Sequence, residues 1–106
     1  MKDTQKIFQL LGLATRARML VTGEELAIRE VQNGNAHLVI VSNDASANTV
    51  KKITDKCTFF NVEKHNFGSR EDLGHAIGKE ARVTLAITDA GFAKKLSELL
   101  NEYNRG

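Results

Sequence analysis

The spacing of apolar residues changes period several times along the chain, and each change marks an element. Ile7, Leu10, Leu11 and Ala14 recur at helical spacing, predicting a first helix over about 4–14. Met19-Leu20-Val21 reads as a short strand. Thr22-Gly-Glu-Glu25 has the Ser/Thr-x-x-Glu form of a capping box, so a second helix is expected to open there and end near Asn33-Gly34. Leu38-Val-Ile-Val41 is an unbroken, largely β-branched run, the pattern of a strand buried on both faces. After loop chemistry at Asn43-Asp-Ala-Ser46, an apolar stripe of Ala47, Val50, Ile53, Thr54 and Cys57 predicts a third helix.

Phe59, Phe60 and Val62 suggest another strand. Ser69-Arg-Glu-Asp72 resembles a second capping box, opening a short helix that carries Leu73, Ala76 and Ile77. Val83, Leu85 and Ile87 alternate with Thr84 and Ala86 as a strand does. Asp89 is a natural N-cap for a last helix with the stripe Phe92, Ala93, Leu96, Leu99, Leu100 and Tyr103. The alternation α-β-α-β-α-β-α-β-α predicts an α/β fold. Its expected form is a three-layer α/β/α sandwich around a four-stranded mixed, mostly parallel sheet.

Composition narrows this picture. With 106 residues and 42% hydrophobic content the chain forms one domain, 1–106. It has no proline and no like-charge run that would mark a linker. The net charge of +2 is too small for binding by bulk electrostatics, so any nucleic-acid contact must be local and shaped. The single cysteine, Cys57, excludes an internal disulfide and fits a reducing compartment. The amino-terminal segment Met1–Lys6 is charged, and no apolar run reaches the roughly 18 residues needed to span a bilayer. A cytoplasmic protein without a membrane partner is the expectation.

Candidate chemistry is sparse. Gly74-His-Ala-Ile-Gly78-Lys79 fails as a phosphate loop, because three residues separate the glycines and Glu80 stands where a magnesium-binding hydroxyl belongs. His37, His65 and His75 lack metal-ligand spacing. Cys57 lies on an apolar stripe as a small hydrophobe. No enzyme, cofactor or small-molecule substrate is expected. The start of the second helix is more informative, since it offers unpaired N–H groups and a partial positive charge. Gly23 there admits close backbone approach. Arg16 and Arg18 precede it, Arg29 lies a turn or two further on, and Gly78-Lys-Glu-Ala-Arg82 is a polar connection with two cations. A plain turn at Gly23 explains the same residues, and Glu24 and Glu25 would satisfy the helix dipole without any ligand.

Several strings together carry a resemblance. They are Leu11-Gly-Leu-Ala-Thr-Arg-Ala17, Thr22-Gly-Glu-Glu-Leu26, Asn33-Gly-Asn-Ala36, Leu38-Val-Ile-Val41, Asn43-Asp-Ala-Ser46, Lys52-Ile-Thr-Asp-Lys-Cys57, Arg70-Glu-Asp-Leu-Gly-His-Ala-Ile-Gly78-Lys79 and Asp89-Ala-Gly-Phe-Ala-Lys-Lys-Leu96. In this order they resemble the ribosomal-protein family typified by L-seven-Ae and L-thirty-e, in its small bacterial YlxQ-like branch. The resemblance implies an α/β/α sandwich binding kink-turn or similarly bent RNA, ribosomal RNA included, in ribosome- or translation-associated work. A monomer is expected. The family surface maps onto Gly23, Glu24, Glu25 and Arg29, and onto Gly78, Lys79, Glu80, Ala81 and Arg82. Arg16, Arg18, Arg29, Lys79 and Arg82 are assigned to phosphates, and Glu25 to a guanine edge. Glu25 and Leu26 stand where the archaeal proteins carry asparagine and glutamate. A protein-interaction adaptor on the same fold is the alternative.

Overall fold

The computed structural model describes residues 4–105. Met1, Lys2 and Asp3, part of the charged amino-terminal segment noted above, and Gly106 lie outside the described residues. Five helices and four strands follow one another as α1 Thr4–Arg16, β1 Leu20–Thr22, α2 Glu24–Gln32, β2 Leu38–Val41, α3 Ala47–Phe59, β3 Glu63–Asn66, α4 Arg70–Ala76, β4 Thr84–Ile87 and α5 Ala90–Arg105.

The sheet has the order β1-β4-β2-β3 and divides two cores. Leu38, Ile40, Leu85 and Ile87 face Ile7, Leu11, Phe67, Leu73, Leu96 and Leu100, contributed mainly by α1, α4 and α5. Val39, Val41 and Ala86 face the other way, against Ala27, Val31, Ile53 and Cys57 of α2 and α3. Strand residues alternate between faces with a period of two, so the continuous apolar runs of β2 and β4 feed both cores. The three-layer α/β/α sandwich expected from the sequence is the observed architecture.

The sheet is mixed, but only one of its three pairings, β2 with β3, is parallel. β4 runs antiparallel to both β1 and β2. The alternation of helices and strands implied a mostly parallel sheet, and the short α4 is why the pairing differs. Its seven residues are followed by a segment that folds back along it, with the Arg82 amide donating to the Arg70 carbonyl at 3.0 Å. The chain therefore enters β4 at the edge where β3 ended, and Val41 aligns with Thr84. β1, β2 and β3 share one direction, and their carboxyl ends meet the start of β4 along a single edge.

Two local expectations need correction. No strand forms at Phe59, Phe60 and Val62; Phe59 ends α3 and Phe60 is its C-cap. The Asn61 amide donates to the Thr58 carbonyl and the Val62 amide to that of Cys57, while Asn61 takes φ 58°. These are the two bonds of a Schellman stop, with asparagine in the left-handed position. The strand comes later, at Glu63–Asn66, on the edge of the sheet beside β2. Likewise Thr22 does not cap α2. It belongs to β1, and its hydroxyl donates across the sheet to the Thr84 carbonyl at 3.2 Å. Ser69 and Asp89 do cap their helices, accepting from the amides of Asp72 and Phe92.

Candidate nucleic-acid interface

The carboxyl edge of the sheet holds a cleft of about 180 Å³ lined by Gly23, Glu24, Ser46, Thr49, Arg70, Val83 and Thr84. Clefts at this edge of α/β sheets arise because the connections leaving successive strands diverge over opposite faces. Here the chain leaving β1 enters α2, the chain leaving β2 enters α3, and that leaving β3 enters α4.

Gly23 is the N-cap of α2 and has φ 106° and ψ 147°. This backbone region belongs almost wholly to glycine. No side chain caps the helix start, and an added Cβ on Gly23 would point into open space. The glycine is therefore required by its dihedrals and not by crowding. Its own amide donates to the Thr84 carbonyl at 3.0 Å, tying the helix start to β4. The first-turn amides of α2, which no intrahelical acceptor can satisfy, are left without a side-chain cap.

Below them lies Thr84, 1% exposed. Its hydroxyl oxygen has no hydrogen-bond partner among the described residues. A buried hydroxyl without a partner costs roughly 1–3 kcal/mol, a cost that a polar group reaching the floor of the cleft would relieve.

The acidic residues at the helix start are treated differently from one another. The Glu24 carboxylate accepts from the Thr49 hydroxyl at 2.9 Å and from Lys52 Nζ at 3.0 Å. The Lys52 and Thr49 hydrogen bonds hold its pKa below the usual carboxylate value. Its charge is thus taken up by α3 before it can repel a phosphate. Glu25 and Leu26 are exposed on the first turn, and Leu26 keeps 45% of its surface in solvent. Arg29 is exposed a turn beyond.

The connection at 78–82 reaches the cleft through Val83 and Thr84. Gly78 takes φ 73°, and the Lys79 amide donates to the Gly74 carbonyl at 2.9 Å. Gly74 lets this segment lie against α4, since a Cβ there would stand 1.8 Å from the Glu80 carbonyl oxygen. Gly78, Lys79, Glu80 and Ala81 are exposed and Arg82 is half-buried.

Sequence reasoning placed Gly23, Glu24 and the 78–82 segment around one site, and all of them line or lead into this cleft. Arg16 and Arg18 stand elsewhere. Arg16 lines a separate groove with Phe8, Gln9, Gly12, Leu13 and Ala76. Arg18 lies before β1 at φ 60°, at the opposite end of that strand from Gly23. Five residues at the cleft were not anticipated as site residues. Arg70 reaches it from α4, with Nη2 donating to the Asp44 carbonyl at 2.7 Å. Ser46 and Thr49 come from the start of α3, with Ser46 accepting from the Thr49 amide as that helix's cap. Val83 and Thr84 were read only as strand residues. Ser46 alone had a usable signal, since a serine before an apolar helical stripe is an N-cap pattern.

Elsewhere the described residues offer little reactive chemistry. Ser97 Oγ donates to Glu63 Oε2 at 2.5 Å, and His65 Nε2 contacts the same oxygen at 2.6 Å. Burial pushes the Cys57 thiol up, against the opposing field of Lys64, so it remains protonated and unreactive. No group of three metal-ligating side chains converges among the described residues. No helix among them is long and apolar enough to cross a membrane.

Comparison with known proteins gives a consistent family. The chain is 55% identical over 94 residues to the RNA-binding protein YlxQ of Bacillus subtilis, covering 89% of this chain and 94% of that one. It is 35% identical over 83 residues to the large ribosomal subunit protein eL30 of Tetrahymena thermophila, covering 76% and 80% of the two chains. A solved protein of unknown function from Bacillus halodurans superimposes with a TM-score of 0.89 at 49% identity, over 91% of this chain and 97% of that one. The Giardia lamblia 15.5kD RNA binding protein has the same fold, with a TM-score of 0.82 at 20% identity over 96% and 88% of the chains. The model of the Ribosomal protein L7Ae/L30e/S12e/Gadd45 family matches residues 5–97, and the chain belongs to that family.

Proposed function

We propose that this protein is a non-catalytic RNA-binding protein that seats a bent, kink-turn-like structured RNA on the cleft at the carboxyl edge of its sheet. The observation that carries the reading is the uncapped glycine start of α2, which lines one cleft with Thr84 and its unpartnered hydroxyl. Free amides aligned with a helix dipole take phosphate or base acceptors, and a buried hydroxyl adds a directional contact. The relatives named as RNA-binding and ribosomal proteins support the same conclusion. Ribosomal RNA is the expected source of such a structure, and the protein acts as a cytoplasmic monomer associated with translation.

In this reading Gly23 lets the RNA backbone approach the α2 amides, and the Glu25 carboxylate accepts from a guanine edge. Arg29, Arg70, Lys79 and Arg82 contact phosphates. Gly78, Glu80 and Ala81 form the rim on which a displaced nucleotide rests, in keeping with recognition of RNA through its distorted, non-duplex features. Arg16 and Arg18 reach RNA only if it extends past the cleft toward the start of β1.

A second reading, an adaptor that binds protein through the same helix start, draws on the exposed Leu26 beside Glu25. Titration with a kink-turn RNA and with an unbent duplex, at about 50 and 200 mM salt where phosphate contacts separate clearly, distinguishes the two. The expected result is preferential binding of the bent RNA, lost in Gly23→Asp and Arg82→Glu variants. Equal and steeply salt-dependent binding of both RNAs, or none, would remove the kink-turn reading and favour the adaptor.

A further inference from the structure

The α3 surface carries a feature that the cleft does not use. Lys52, Lys56, Phe59 and Phe60 follow one another at positions i, i+4, i+7 and i+8, which share one face of a helix. The stripe starts at Lys52, which already touches the cleft through Glu24. It ends about 12 Å along the axis at the helix rise of 1.5 Å per residue. There Phe59 is 81% exposed and Phe60 38%, with ring centroids 4.9 Å apart in an edge-to-face arrangement. Asp55 and Lys56 complete a shallow apolar hollow beside them of about 320 Å³.

Helix formation did not require two phenylalanines here. The Schellman stop is made by backbone bonds and by the left-handed Asn61, and neither ring enters a core cluster. Phe67, by contrast, is buried and packed between Phe8 and Tyr103.

The local charge is cationic in effect. Asp55 is engaged by Lys51 at 2.8 Å, whereas Lys56 has no carboxylate partner among the described residues. Exposed rings beside an unpaired lysine favour a particular kind of partner. Lysine is depleted from the cores of protein interfaces, while aromatic faces combined with cations are how single-stranded nucleic acid is held.

We propose that Phe59 and Phe60, with Lys56, form a second RNA contact: a stacking platform for unpaired bases of a strand that leaves the cleft along α3. The proposal rests on the reading of the cleft as an RNA site and extends it. At the stacked spacing of about 3.4 Å per nucleotide, the stripe spans three or four nucleotides. The bases would stack on Phe59, the more exposed ring, while Lys56, which no carboxylate engages among the described residues, follows the phosphates.

The test compares a blunt-ended kink-turn RNA with the same RNA carrying a six-nucleotide single-stranded extension on each of its four strand ends in turn. The extension contains one 2-aminopurine to report stacking by fluorescence. One extended RNA is expected to bind wild-type protein about 5- to 150-fold more tightly than the blunt form, the range of a base stacked on an aromatic ring. Its 2-aminopurine should be quenched on binding. Phe59→Leu and Phe59→Ala should both remove the gain and the quenching while leaving affinity for the blunt RNA unchanged; Lys56→Ala should reduce the gain. Gly23→Asp should weaken both RNAs together.

If no extension increases affinity, or if Phe59→Leu retains the full gain, the platform is wrong. The platform is also wrong if Phe59 variants weaken blunt and extended RNA alike. Failure of the blunt RNA to bind wild-type protein would instead overturn the reading of the cleft, and with it the continuous path onto α3.

Discussion

Two helices begin side by side at the carboxyl edge of this sheet, and they begin differently. α3 caps itself: the Ser46 side chain accepts from the Thr49 amide at 3.2 Å. α2 starts at a glycine with φ 106° and receives no side-chain cap. A side-chain cap is worth about 0.5–2 kcal/mol, and α2 forgoes it while keeping an unpartnered hydroxyl at Thr84 close by. One helix start is finished by its own sequence, and the other is left open for something the chain does not contain. The pair separates what folding requires from what recognition requires.

The comparison is most strongly challenged by putting a side chain on the open start. Gly23→Asp forces an L-residue into a glycine-only region, at a cost of about 1–3 kcal/mol. Urea unfolding should register that loss, and affinity for a bent RNA should fall at least tenfold because a carboxylate now occupies the anion site. A variant that bound RNA as well as wild type would show that the open start has no part in recognition.

Ser46→Ala is the matched change on the self-capped helix. It should cost about 1 kcal/mol of stability and leave RNA affinity within about twofold, read from the same two measurements. Thr84→Val should move the two observables in opposite directions. Removing an unpartnered buried hydroxyl is neutral or stabilising by up to about 1 kcal/mol, whereas RNA binding should weaken. A Thr84→Val protein that lost stability and kept its affinity would mean the hydroxyl serves the fold.

The smallest effect concerns Glu24. Its pKa is lowered in the folded state by Lys52 and Thr49, so its contribution to stability is present above the ordinary carboxylate value and is lost as pH falls through the folded value. Because the pair is solvent-accessible, Glu24→Gln should cost only a few tenths of a kcal/mol. By releasing Lys52, it should raise RNA affinity slightly and steepen the salt dependence, as a titration in varied salt would show. A weakened affinity would mean that Glu24 is itself a contact.

Most of the fold was legible because the two cores are written as periodicities. The runs Leu38–Val41 and Val83–Ile87 and the stripes of α1, α3 and α5 each face a core in the manner their spacing implies. β3 was not legible: Glu63, Lys64, His65 and Asn66 are all polar, and an edge strand gains its place from backbone pairing with β2. The neighbouring phenylalanines drew the strand assignment forward, because the stop at Asn61 depends on a left-handed conformation that the apolar pattern does not encode.

The direction of β4 was hidden for a similar reason, since the fold-back of 78–82 depends on Gly74 admitting the Glu80 carbonyl. At the site, Gly23 and the 78–82 segment were visible as glycine-bearing turns. Arg70, Thr49 and Thr84 were not, because only the strand order brings α3, α4 and β4 to the mouth of α2. Arg18 shows the converse. It is a cation close to Gly23 in sequence, and the whole length of β1 separates the two.

The most direct test of the account is an amide NMR titration of the ¹⁵N-labelled protein with a kink-turn RNA. The largest shifts should fall on Gly23–Leu26, Lys79–Arg82 and Thr84, with Arg18 and its neighbours unmoved by an RNA too short to reach them. Shifts centred on Arg16 and Arg18, with the α2 amides unchanged, would contradict it.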